Sequence, residues 1–112
     1  MTSDGFRKLA LSFPGAIESE HMNHPDFRVR GKIFATIPPD PAWGVVLLTP
    51  SQQKEFVAAA PEAFFTVKGG WGRGGATKVL LKAVKPATMR DALARAWRHR
   101  AGDEPPLLRR SK

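Results

Sequence analysis

Three side chains able to hold a metal or move a proton, His21, His24 and Asp26, fall within one short stretch, with the carboxylates Glu18 and Glu20 just before them. Two imidazoles and a carboxylate form a ligand set for a transition metal. Pro25 interrupts any strand or helix that would present them together, and the remaining histidine, His99, lies in a basic segment near the other terminus. The expectation is therefore no metal site but a turn in which His24-Pro25-Asp26 bonds its own backbone. Glu18 and Glu20 read as an acidic pair on one strand face rather than an acid/base couple. No Gly-x-Ser-x-Gly and no Ser/His/Asp arrangement announces itself. The absence of cysteine removes thiolate nucleophiles, disulfides, zinc-thiolate sites and iron–sulfur clusters. A protein without catalysis and without a cofactor is the reading.

The segment Gly69-Gly70-Trp71-Gly72-Arg73-Gly74-Gly75 invites comparison with loops that cradle phosphate through backbone N–H groups. Such loops join a strand to a helix and end in Gly-Lys-Ser/Thr, whereas this one leads into a strand. It is read as a glycine-rich wing with Trp71 and Arg73 at its tip, side chains suited to stacking on a base or straddling a backbone. The plainer alternative has Trp71 folded back over the core edge.

These residues need elements to position them. Phe6, Leu9, Ala10 and Phe13 recur at helical spacing over 2–13, and Pro14-Gly15 ends that helix. Residues 17–22 alternate loosely as an edge strand, which His24-Pro25 breaks. Phe27 to Arg30, a turn at Gly31-Lys32, and Ile33 to Ile37 make a hairpin. Its alternation sends Phe27 and Val29 to the core and Arg28 and Arg30 to the other face. Residues 43–49, apolar on both faces, belong in the sheet interior, with Trp43 as packing. Thr49, Pro50 and Gln52 form a capping box for a helix running to about Ala60. A short strand follows at 64–67 and another at 77–84, where Lys78 and Lys82 alternate away from Val79, Leu81 and Ala83. Thr88 with Asp91 is the expected cap of a last helix whose stripe is Met89, Ala92, Leu93, Ala96 and Trp97. The order defines an α+β domain over 1–101, an antiparallel sheet with N-terminal, middle and C-terminal helices packed on one face. Residues 102–112 read as a flexible tail.

The 112 residues suffice for one core, and 42% hydrophobic with 25% charged residues describes an ordinary globule. The longest non-polar run, Ala42 to Leu48, is too short to cross a bilayer, and the N-terminus lacks the pattern of a signal peptide, so the expected location is cytoplasmic with no membrane partner. The net charge is +8 and uneven: residues 78–112 hold ten basic side chains against three acidic ones. Such a concentration favours polyanions by counterion release.

The stretches Leu11-Ser12-Phe13-Pro14-Gly15, Glu18-Ser19-Glu20-His21, His24-Pro25-Asp26-Phe27-Arg28-Val29-Arg30-Gly31-Lys32-Ile33-Phe34-Ala35, Leu48-Thr49-Pro50, Pro61-Glu62-Ala63-Phe64-Phe65 and Gly69-Gly70-Trp71-Gly72 resemble the MmcQ/YjbR family of small bacterial proteins. The resemblance implies a double-wing α+β fold and a DNA-binding role. The chain departs from the family pattern at Gly75-Ala76-Thr77, where an aromatic residue is usual before the threonine.

The leading functional expectation is a nucleic-acid-binding module that reads the phosphate backbone through Arg28, Arg30, Lys32, Arg73, Lys78 and Lys82 on one basic sheet face, with Trp71 as a stacking group. Salt bridges to Glu18, Glu20 or Glu62 would instead make that face merely solvated. Two rival readings are a protein-interaction domain adding a partner's strand at the edge 17–22, and a pocket for a small acidic ligand between the hairpin and the glycine segment.

Overall fold

The computed structural model describes residues 1–102; the tail reading for the residues beyond lies outside them. Helix α1 (Ser3–Leu11) starts where the Thr2 hydroxyl accepts the Gly5 N–H at 3.0 Å, and it buries Phe6 and Ala10. It stops two residues short of the expected Phe13, where the Ser12 hydroxyl donates to the Leu9 carbonyl at 2.6 Å.

Strands β1 (Ile17–His21), β2 (His24–Val29) and β3 (Lys32–Thr36) form two successive hairpins. Each turn has two residues in the left-handed region, Met22 and Asn23 at φ 51° and 67°, then Arg30 and Gly31 at 53° and 76°. That backbone twist suits the right-handed twist of the flanking strands. Two expectations are corrected here. His24-Pro25 opens β2 rather than breaking a strand, because a proline near a strand's start need not donate to the ladder. The second turn sits one residue earlier, so Arg30 is part of it.

The chain continues through β4 (Trp43–Leu47), α2 (Pro50–Ala59), β5 (Phe64–Thr66), α3 (Gly69–Arg73), β6 (Ala76–Leu80) and α4 (Pro86–Ala101). The capping box of α2 forms as expected: the Gln52 N–H donates to the Thr49 hydroxyl, and the Thr49 N–H to the Gln52 side-chain oxygen, both at 3.1 Å. Strand β6 ends at Leu80, short of the expected Val84, because the chain turns there and the Leu80 carbonyl accepts from Ala83 and Val84. Thr88 and Asp91 do not cap α4. That helix begins three residues earlier, with Pro86 in its first turn and Lys85 as a cap without a side-chain bond, since proline's fixed φ is already helical there.

All six strands pair antiparallel in the order β1-β2-β3-β4-β6-β5. The α+β architecture is therefore the expected one. One face of the sheet, carrying Phe27, Phe34, Val46, Phe64 and Val79, packs against Phe6 of α1, Phe56 of α2 and the Met89, Ala92, Leu93, Ala96 stripe of α4. Trp97, on the flank of that stripe, stacks on Phe13 and donates its indole N–H to the Pro14 carbonyl at 2.9 Å. The opposite face carries a smaller cluster of Val45, Leu47 and Ala76 with Ile33 and Val67.

Candidate functional site: the outer sheet face

The second face is built by the register. Side chains directly paired in an antiparallel ladder share a face, so Arg28 lies with Ile17 and Ile33, Asp26 with Ser19 and Thr36, and Lys78 with Val45 and Phe65. Trp43 belongs there too, beside Leu80. The expected packing role of Trp43 is corrected accordingly. It is half-buried, meets Phe65 edge-on with ring centroids 5.5 Å apart, and carries the Lys78 ammonium 4.5 Å from its ring centroid. An ammonium over an indole face is held by the ring quadrupole.

The glycine segment is no loop. It is the short helix α3, and the chemistry of its surroundings explains why a glycine-rich stretch winds there. The buried Gln53 side chain donates to the Gly72 carbonyl and the Ala76 carbonyl, both at 2.9 Å, tying α3 and β6 to α2. Gly72 lies against the Val67 backbone with no room for a side chain, and a side chain at Gly75, where φ is 116°, would collide with the Leu48 carbonyl. Trp71 is thereby held on a fixed stub, with its ring 51% exposed. It closes a groove of about 460 Å³ whose other walls are Pro38, Pro39, Asp40, Trp43, Val45, Val67 and Lys78. An adjoining depression of similar volume, over Trp43, Phe65, Val67, Lys68 and Lys78, extends the same surface to the β5 edge.

The expected basic face divides. Arg28 sits on it but is committed: its guanidinium donates to both oxygens of the fully buried Asp26 at 2.8 and 3.0 Å. The bonds from Arg28 hold the Asp26 carboxyl below its ordinary value against the opposing cost of burial, with a smaller lowering contribution from His21, and raise the Arg28 guanidinium in turn. The partner is neither Glu18, Glu20 nor Glu62; Glu18 instead binds Arg7 at 3.0 Å. Asp26 spends its oxygens on Arg28 and His21 side chains, which corrects the expected backbone-bonded turn. Lys78 is three strands away from Arg28, roughly 14 Å at the usual interstrand spacing. Arg30 and Lys32 occupy the β2–β3 turn region, and Lys82 lies in the turn after β6, at the other end of the sheet. Trp71 and Lys78 do meet, on one groove, and Arg73 closes the helix that carries Trp71. The sequence reading missed Phe65, Lys68 and Trp43. Phe65 pairs directly with Lys78, but alternation within so short a strand leaves its face ambiguous in the sequence.

Among the described residues no group of three or more histidine, cysteine or acidic side chains gathers as a ready metal cluster, and no helix is long and apolar enough to cross a membrane.

A six-stranded antiparallel sheet, helices α1, α2 and α4 packed on one side and a half-apolar, aromatic face on the other, defines the class. Within it, the chain belongs to the YjbR family, whose model matches residues 11–99. The crystal structure of Deinococcus radiodurans protein DR2400, assigned a DUF419 domain, superposes with a TM-score of 0.69 over 86% of this chain and 75% of that one, at 18% identity. At that identity the likeness shows the fold. No curated relative matches in sequence.

Proposed function

We propose that the protein is a non-catalytic nucleic-acid-binding module that takes single strands on the outer sheet face. Bases stack on Trp71 and Phe65, and Lys68, Arg73 and Lys78 neutralise the backbone beside them. The observation that carries this reading is the groove walled by a half-exposed Trp71 and floored by Trp43 and Lys78. Aromatic platforms flanked by cations bind unpaired bases with little regard for sequence. A duplex would need a longer track of free cations, and the commitment of Arg28 to Asp26 interrupts that track.

The test is fluorescence anisotropy with a labelled oligothymidine and its duplex at two salt concentrations. The single strand is expected to bind more tightly, with Trp71→Ala weakening it. Absence of single-strand binding at low salt, or a Trp71→Ala variant that binds like the parent, would refute the reading. The groove volume also favours a second one, a small aromatic anion seated between Pro38-Pro39 and Trp71, since about 460 Å³ lies within the usual range for ligand sites of roughly 300–1,000 Å³. Thermal stabilisation by a mononucleotide without oligonucleotide binding would favour that alternative.

A further inference from the structure

His21 and His24 flank the Met22-Asn23 turn and pair directly across the β1–β2 ladder, so both imidazoles rise from the same face. Their ring centroids are 6.4 Å apart. His21 does not float: its Nδ1 lies 2.7 Å from the Asp26 carboxylate, which is itself fully buried and anchored by Arg28. A carboxylate accepting the Nδ1 proton fixes the neutral tautomer in which Nε2 carries the free lone pair. The His21 side chain is 42% exposed.

We infer that His21 and His24 form a two-imidazole site for a borderline divalent metal, Zn²⁺, Ni²⁺ or Cu²⁺, with Asp26 as the carboxylate that orients the first ligand. Imidazole suits these ions and not Mg²⁺. Nitrogen-to-metal bonds of about 2.0–2.1 Å bridge at most about 4 Å between two nitrogens, so the two rings, with centroids 6.4 Å apart, must turn toward each other to share an ion. Asp26 is not a third ligand, because Arg28 and His21 occupy its oxygens; water completes the coordination. Neither Met22 nor Asn23 is glycine, yet both are left-handed, a conformation that a methionine in particular adopts at some cost. That geometry is what sets His21 opposite His24.

The site is independent of nucleic-acid binding, and so is its test. Untagged protein is titrated with ZnCl₂, NiCl₂ and MgCl₂ by calorimetry, with the histidine ring signals followed by NMR. One equivalent of Zn²⁺ or Ni²⁺ is expected to bind and shift the His21 and His24 rings, while Mg²⁺ is inert. His21→Ala and His24→Ala should each lower affinity at least tenfold, His99→Ala should not, and Asp26→Asn should lower it by about 10- to 100-fold, as loss of an orienting carboxylate does. His24→Ala removes no buried bond, so its result stands even if Asp26→Asn fails to fold. Undetectable Zn²⁺ and Ni²⁺ binding, binding that survives both histidine variants, or equal binding of Mg²⁺ would overturn the inference.

Discussion

A Cβ atom added to Gly72 would stand 1.5 Å from the carbonyl oxygen of Val67. No rotamer relieves such a contact, because both partners are backbone. Gly72→Ala is expected to destabilise the fold by about 3 kcal/mol or more, the range reached when a core-side backbone must shift. Gly70, two residues earlier on the same helix, meets nothing closer than the Arg73 guanidinium at 3.5 Å. Gly70→Ala should therefore be neutral or stabilise by up to about 1 kcal/mol, as alanine outranks glycine in a helix. Urea denaturation of the two variants checks the contrast.

Trp71 contributes little to the core at 51% exposure, so Trp71→Ala should melt near the parent temperature. Its affinity for a single strand should fall about 5- to 150-fold, the stacking contribution of roughly 1–3 kcal/mol per base. Phe65→Ala, 37% exposed on the same face, should weaken binding in the same direction.

With Lys68 and Lys78 lining the two depressions and Arg73 closing the helix that carries Trp71, log K for a single strand should fall with log[salt] at a slope of about −2 if all three neutralise phosphates, following roughly 0.7 per phosphate. Replacing Arg30 and Lys32 together should leave that slope unchanged, because they sit at the β2–β3 turn rather than on the groove. Anisotropy titrations across a salt series measure it.

Asp26 gives stability a defined acid dependence. Its folded carboxyl is held below the unfolded value near 3.9. A depressed acid stabilises the fold fully above the unfolded pKa and loses that contribution as pH falls through the folded one. Parent stability should therefore drop steeply below about pH 4, and Asp26→Asn should flatten that part of the profile. The variant should also be weaker at pH 7 by about 1–3 kcal/mol, since Arg28 loses a charged partner while remaining partly solvated. Thermal melts from pH 2.5 to 7 read both effects.

What the sequence disclosed was what neighbouring residues decide. Thr49, Pro50 and Gln52 close a capping box within four positions, and the box is there. Phe27 and Val29 alternate into the core as a strand must. The Met22-Asn23 turn was hidden because methionine gives no sign of a left-handed backbone, although asparagine adopts one readily. Trp43 was hidden because an apolar run is the same read from either face, and only pairing with Lys78's strand tells which is covered. Helix α3 ran against propensity, three glycines in five residues, and exists because Gln53, nineteen positions away from Gly72, reaches across to it. The Asp26–Arg28 pair was legible in principle. Residues two apart on a strand share a face, yet only the fold shows that Asp26 is buried enough to claim the guanidinium.

Strand β1 borders the sheet with every residue exposed and its outer hydrogen-bonding groups unpaired by a strand of the sheet. Were a second molecule to align antiparallel about Ser19, each Glu18 would face the other's Glu20, and like charges set opposite one another repel. In a protein of net charge +8 this acidic border is a local exception. Pairing of two copies along this edge is thereby disfavoured, and it would also have to part Glu18 from Arg7.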